Sequence, residues 1–127
     1  MSIEFRLSRD ARLFEVRYIG ELDFAMRARA VLETERRLKD CWVKALLVDF
    51  SQAWPAASDD DGEDADALAA FRHTLSRATF PRGMRVAFLN PPGRLDGPAR
   101  SMQRTLHFTS RRFHDRNHAL AWLRGRL

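Results

Sequence analysis

Carboxylates concentrate in one stretch of the sequence, which makes that stretch the first candidate for chemistry. Residues 45–66 carry seven acidic side chains and neither lysine nor arginine. A calcium loop would need oxygen ligands at fixed positions around a glycine, but with Gly62 as that glycine the first and last ligand positions fall on Ala57 and Leu68. We therefore expect a charged partner-binding surface and no metal site. Its candidate residues are Ser58, Asp59, Asp60, Asp61, Glu63 and Asp64.

A second candidate lies in the basic C-terminal part, where residues 84–127 hold nine arginines and two aspartates. Arg94, Gly97, Arg100 and Arg104 surround the start of a predicted helix, whose free N–H groups attract anions. They form a candidate anion-binding set, although a solvated basic face explains the same residues and is preferred. Because neither a P-loop nor a complete dinucleotide-binding glycine motif is present, we expect no cofactor.

Apolar and sulfur-containing side chains give a third candidate. Trp54, Phe71, Phe88 and Met102 fall near predicted strand ends and form a candidate site for a small molecule or lipid. Cys41 is the only cysteine, so an intrachain disulfide is excluded. Nothing identifies a base or cation that would hold its thiol as thiolate, and we expect Cys41 and Trp42 to fill the core.

Length and composition predict one domain over residues 1–127. Apolar residues make up 45% of the 127-residue chain, and no apolar run approaches the roughly 20 residues that span a bilayer. The N-terminus lacks a signal-peptide core, which favours the cytoplasm. The net charge of +5 raises nucleic acid as a partner, but the basic part lacks interleaved aromatic residues, so nucleic-acid binding is disfavoured.

Five strands are predicted from short apolar or alternating runs. Ile3, Phe5 and Leu7 alternate with charged residues, and a short turn joins them to a second strand that Gly20 ends, which predicts an antiparallel hairpin. The run 44–50 is short and almost wholly apolar, as in a central strand covered on both faces. A loop should follow it over residues 51–63. Two further strands are predicted at 84–90 and 111–113.

Four helices are predicted between and after these strands. Asp23 is placed to cap the first, over about 24–40, in which Phe24, Ala28, Val31, Leu32 and Leu38 share a face. The second spans about 64–79, the third begins near Pro98, and Asp115 caps the last. The predicted fold is therefore α/β: a mixed, mostly parallel sheet of about five strands with an N-terminal antiparallel hairpin and about four helices.

The order and spacing of four segments resemble a known superfamily. These segments are Tyr18 to Asp23, Ala45 to Phe50, Arg85 to Phe88, and Phe113 to Leu123. In these four segments the chain resembles the SpoIIAA-like, or STAS, domains of anti-sigma-factor antagonists. That fold is also related to Sec14-like lipid-binding domains. The resemblance implies a phosphorylated serine where the second helix opens. Here Asp61, Gly62 and Glu63 occupy that motif, so the usual acceptor serine is missing.

The function expected from this combination is a non-enzymatic, cytoplasmic protein-interaction or regulatory module. Its partner would be a protein that meets the acidic stretch, with a signalling regulator as one candidate; a dimer is left open. The alternative is a small-molecule or lipid-binding domain of the Sec14-like kind. No nucleophile elbow or paired acid–base motif points to an enzyme.

Overall fold

The computed structural model describes residues 2–39, 41–55, 65–91 and 108–125. Its elements in chain order are β1 (Ser2–Leu7), β2 (Leu13–Leu22), α1 (Phe24–Leu38), β3 (Ala45–Pro55), α2 (Ala65–Arg77), β4 (Arg85–Leu89), β5 (Thr109–Phe113) and α3 (Arg116–Leu123). The predicted third helix falls in 92–107, outside the described residues. Within the described ranges there are three helices, so the structure matches the expected count except for that segment.

The strands form one five-stranded sheet in the order β1-β2-β3-β4-β5. β1 and β2 pair antiparallel, and the other neighbours pair parallel. The predicted α/β class, mixed sheet and N-terminal hairpin are therefore confirmed. β3 lies in the middle of the sheet, which explains why its sequence is apolar on both faces.

Helices cover the sheet on both sides and create two core clusters. Residues Leu46, Val48 and Phe50 of β3 belong to the cluster that also contains buried residues of α1 and α2. Leu47 points to the other face and packs with buried residues of α3. The period of two along β3 thus divides one apolar run between two cores.

Two strand boundaries differ from the predicted ones. Gly20 does not end β2, which continues to Leu22, and β3 continues five residues beyond Phe50 into the predicted loop. The two extensions pair with each other, from Gly20 with Ala53 to Leu22 with Pro55. Long-range pairing therefore keeps polar residues such as Gln52 in the strand against their local preference, while Gly20 takes a positive φ of 101°, which glycine tolerates.

The cap of α1 was predicted correctly, but part of its buried face was not. The Asp23 carboxylate accepts a hydrogen bond from the backbone N–H of Met26 at 2.8 Å. Leu32, predicted to be buried, is 54% exposed, whereas Arg27 is 4% exposed. The Arg27 guanidinium lies over the Phe71 ring at 4.7 Å, and this cation–π contact lets an arginine occupy the inner face.

The prediction that Cys41 and Trp42 fill the core is wrong. Both are exposed, and 92% of the accessible surface of Trp42 is open to solvent. Val43 enters the core instead, with 1% exposure. Cys41 lies in the turn after α1, where its thiol donates to the Arg37 carbonyl at 3.2 Å, and Trp42 lines a cleft at the surface.

Two positions in the left-handed region give opposite stability predictions. Ala11 in the β1–β2 turn has φ 57°, and Gly83 before β4 has φ 73°. A side chain is strained there, although glycine is disfavoured by its unfolded-state entropy. We expect Ala11→Gly to stabilise and Gly83→Ala to destabilise the protein, each by about 0.5–1 kcal/mol.

Urea unfolding of both variants measures these changes. No heavy atom outside its chain neighbours lies within 4 Å of a Cβ built on Gly83, so the loss there would report backbone strain without a clash. Equal changes of the same sign in the two variants would contradict the assignment of strain to Ala11.

Candidate functional site

The carboxyl ends of β2, β3 and β4 form one edge of the sheet, which we call the carboxyl edge. β2 leads into α1 through Asp23, β3 ends at Pro55 ahead of α2, and β4 ends before Asn90. Open α/β sheets place their binding residues at this edge, because loops converge there on helix N-termini. It is also where the sequence placed the acidic candidates.

Trp54 is the exposed aromatic residue at the carboxyl edge. It lies at the end of β3, pairs in register with Glu21 of β2 and is 59% exposed. Pairing between β3 and β4 stops at Asp49 and Leu89. Among the described strands, the last part of β3 is therefore paired only with β2, and it extends beyond β4 carrying an indole ring.

Hydrogen bonds fix the backbone around this edge. The Asn90 side-chain amide donates to Ser51 Oγ at 2.8 Å, and the Asn90 backbone N–H donates to the Phe113 carbonyl at 2.8 Å. The backbone N–H of Ser51 in turn donates to the Asp49 carboxylate at 2.8 Å. Asn90 has φ 52°, a conformation that asparagine tolerates better than most residues. The residue that follows β4 is thus hydrogen-bonded to the second half of β3.

A cluster of buried and half-buried charges lies on the α3 side of the sheet, between the first half of β2 and the middle of β3. Arg116 at the start of α3 binds Glu15 of β2 through two parallel hydrogen bonds, of 2.6 and 2.8 Å. Asp49 lies 3.7 Å from Arg116 and 3.5 Å from Arg17. Glu15 and Asp49 are almost completely buried, with 6% and 5% exposure. We call Glu15, Arg17, Asp49 and Arg116 the charge cluster.

The electrostatics of the charge cluster keep Glu15 ionised. The hydrogen bonds from Arg116 hold the pKa of the Glu15 carboxyl below its usual range, although burial opposes them. Glu15, which accepts these hydrogen bonds, in turn raises the pKa of Arg116. A carboxylate stabilised in this way accepts hydrogen bonds and anchors a helix, whereas a general acid at neutral pH needs a raised pKa. The geometry therefore supports a structural lock.

The structure brings together two of the four candidate ligand-binding residues. Phe71 and Phe88 line a cavity under α1 and α2. Trp54 is not part of its lining, and Met102 lies outside the described residues. The candidate partner-binding set, Ser58, Asp59, Asp60, Asp61, Glu63 and Asp64, also lies outside them, as does the candidate anion-binding set, Arg94, Gly97, Arg100 and Arg104.

The cavity beside Phe71 and Phe88 has a volume of about 50 Å³. Its wall is largely apolar but includes Tyr18, whose pKa is raised by burial against the opposing effect of Arg27. Pockets for small ligands usually measure about 300–1,000 Å³. Among the described residues the space suits one or two water molecules, and the lipid-binding alternative stays a prediction.

The charge cluster was not recognised as a unit in the sequence. Glu15 and Arg17 have the spacing of one strand face, and Asp49 interrupts an otherwise apolar run, which was the available signal. Their partner Arg116 is 101 residues away from Glu15. One sequence gives no means of pairing a given arginine with a given carboxylate over that distance.

The architecture is a SpoIIAA/STAS-like fold. It is similar to the structure of the anti-sigma factor antagonist SpoIIAA in its unphosphorylated form, with a TM-score of 0.53 and 14% identity over 98% of this chain and 99% of that chain. It is also similar to an uncharacterised DUF3478-family protein with a SpoIIAA-like fold from Shewanella loihica, with a TM-score of 0.50 and 17% identity. That alignment covers 96% of this chain and 92% of the other.

At these identities the likeness establishes the fold alone. No protein-family model matches the sequence, and no curated protein matches it. None of the described helices is long and apolar enough to cross a membrane. Function must therefore be argued from the surfaces that this fold presents.

The charge cluster predicts a pH-dependent stability. Arg116→Met would leave Glu15 buried without its main partner, and we expect a loss of about 2 kcal/mol at pH 7. The value lies below the roughly 3–5 kcal/mol for a fully buried pair, because 40% of the Arg116 side chain is exposed. Since the folded-state pKa of Glu15 is lowered, its contribution is present at neutral pH and is lost as pH falls below 4.5.

Urea unfolding of wild type and variant from pH 7 to pH 3 measures this difference, which should shrink in acid. Arg36→Met is the matched control, because Arg36 pairs with Glu33 on the surface of α1 and is 70% exposed. It should cost much less. An Arg116 effect that stays constant across the pH range would show that lost packing, rather than the ion pair, is responsible.

Proposed function

We propose that this chain is a non-enzymatic regulatory module that binds a protein partner at the carboxyl edge. The observation that carries the proposal is the exposed Trp54 on the projecting end of β3, followed directly in sequence by acidic residues. The SpoIIAA-like fold supports it, because a structural neighbour with this fold is described as an anti-sigma factor antagonist, a description that names a protein target. The partner class we infer is a protein with a basic contact surface.

Trp54 has the properties of a binding anchor. Tryptophan is enriched among the few residues that dominate interface energies, because it buries a large area with few rotatable bonds. Strand pairing of Trp54 with Glu21 already fixes the backbone on which the ring is mounted. Less entropy is therefore lost on association than for a tryptophan on an irregular loop.

The charge of the acidic stretch determines which partners this edge attracts. Seven acidic residues lie in 45–66 without a lysine or arginine, although the whole chain carries a net charge of +5. Local negative charge of this kind speeds association with basic surfaces and disfavours acidic ones. Binding should consequently weaken as salt screens the attraction.

Control by phosphorylation is absent from the proposed mechanism. The resemblance places a phosphorylated serine where Asp61, Gly62 and Glu63 stand in this sequence. Carboxylates carry negative charge permanently, whereas a phosphate adds it reversibly. We therefore propose that partner binding is constitutive with respect to phosphorylation.

Site-specific photo-crosslinking tests the proposed surface. A benzophenone amino acid replaces Trp54 in one variant and Trp42 in the other, and crosslinks are formed in nuclease-treated cells. Both native residues are exposed tryptophans, at opposite ends of β3, which makes position 42 a matched control. We expect a discrete protein adduct from position 54 and not from position 42. Equal adducts from both positions would contradict the proposal that the partner binds at the carboxyl edge.

The identified protein should then bind the purified chain. Trp54→Ala should weaken that binding about tenfold or more, as expected for a central tryptophan. Reversing Asp59, Asp60 and Asp61 to arginine should lower the association rate and its dependence on salt. Unchanged binding by both variants would contradict the proposal, and Trp42→Ala controls for general effects of losing an exposed indole.

A further inference from the structure

A basic groove crosses the opposite edge of the sheet, where the parallel strands β2, β3 and β4 begin. A cleft of about 750 Å³ opens there between the β1–β2 turn, the segment before β3 and the end of α3. A second depression of about 450 Å³ adjoins it and shares Asp10, Leu13 and Arg124 with it. The basic residues lining the two are Arg6, Arg9, Arg12, Lys44, Arg85, Arg116 and Arg124.

Most of the positive charge in the basic groove is uncompensated. Arg6, Arg9, Arg12, Lys44 and Arg124 are all exposed, and within the described part of the chain none of them forms an ion pair. Arg85 and Arg116 differ, because the Arg85 guanidinium donates to the Trp122 carbonyl at 2.6 Å and Arg116 binds Glu15. Five cationic side chains thus point into solvent along one continuous depression.

The two acidic residues lining the basic groove are already engaged. Asp10 accepts hydrogen bonds from Ser8 Oγ at 2.6 Å and from the Arg12 backbone N–H at 3.1 Å. Glu15 is bound by Arg116 in the charge cluster. Glu15 is thus neutralised by Arg116, whereas Asp10 attracts Arg12 and Arg124 and offsets one of the remaining positive charges, which leaves the groove positive.

Trp42 adds an aromatic surface to the basic groove. It lines the larger cleft two residues before Lys44, and 92% of its surface is exposed. An exposed indole beside a track of cations is the combination that single-stranded nucleic acids bind, with bases stacked on the ring and phosphates on the basic residues. An acidic peptide would pair with the cations, but its Asp and Glu side chains have no flat ring to stack on the indole.

We propose that the basic groove binds single-stranded RNA or DNA, with a base stacked on Trp42 and the adjoining phosphates held by Arg12, Lys44 and Arg124. The site reads no particular sequence, because a stacking surface accepts every base. A duplex binds less well, since its bases are already stacked on one another. The groove is assembled from separate segments of the chain, so no contiguous basic–aromatic motif marks it in the sequence.

Fluorescence anisotropy with a labelled 12-nucleotide oligouridylate tests this inference at low salt. We expect saturable binding, with duplex DNA of the same length binding at least tenfold more weakly. Trp42→Ala should weaken binding about tenfold, the effect of losing one base–aromatic stack. The double variant Lys44→Glu and Arg124→Glu should weaken it further and reduce the salt slope by about 0.7 for each lost phosphate contact.

Two controls separate this site from general charge and from the carboxyl edge. Arg72→Glu combined with Arg77→Glu makes the same change of charge on α2 and should leave the affinity within about twofold, as should Trp54→Ala. The inference is overturned if oligouridylate fails to bind at low salt, if duplex binds equally well, or if Trp42→Ala has no effect. Poly-glutamate competing as well as unlabelled oligouridylate would also overturn it, because the groove would then recognise charge alone.

Discussion

The paired hydrogen bonds between Arg116 and Glu15 connect the end of the chain to its beginning. Arg116 starts α3, the helix that covers one face of the sheet, and Glu15 lies near the start of β2. Asp49 extends the contact to the central strand and accepts from the backbone of Ser51. Ser51 in turn holds Asn90, so one buried charge contact supports both the helix layer and the carboxyl edge.

The other face of the sheet also accommodates an arginine, by a different physical solution. Arg27 is buried under α1 and lies over the rings of Phe50 and Phe71, at 5.5 and 4.7 Å. A ring face stabilises the cation without adding a buried carboxylate. On the α3 side, carboxylates stabilise Arg116 instead. The sheet thus packs against helices through arginine on both faces, each time with a partner that offsets desolvation.

The sequence predicted the parts of the structure that depend on local pattern. Apolar runs located β3 and β4, and the caps at Asp23 and Asp115 were found because their carboxylates bond to nearby backbone N–H groups. The extension of β3 was missed, since pairing with β2 decides it. Trp42 was misplaced because apolar residues between a helix and a central strand usually fill the core, whereas in this connection Val43 does so. The ion pair between Arg116 and Glu15 could not be predicted, because only the folded chain brings these two residues together.

β3 connects two edges of opposite character. Trp54 stands at its carboxyl end next to an acidic stretch in the sequence, and Trp42 precedes its first residue beside the basic groove. The eleven residues of the strand separate these ends by roughly 30 Å. The Debye length at physiological salt is about 8 Å, so charges bound at one edge are screened from the other. A protein at the carboxyl edge and a nucleic acid at the basic groove would therefore bind at the same time, at opposite ends of β3, without competing.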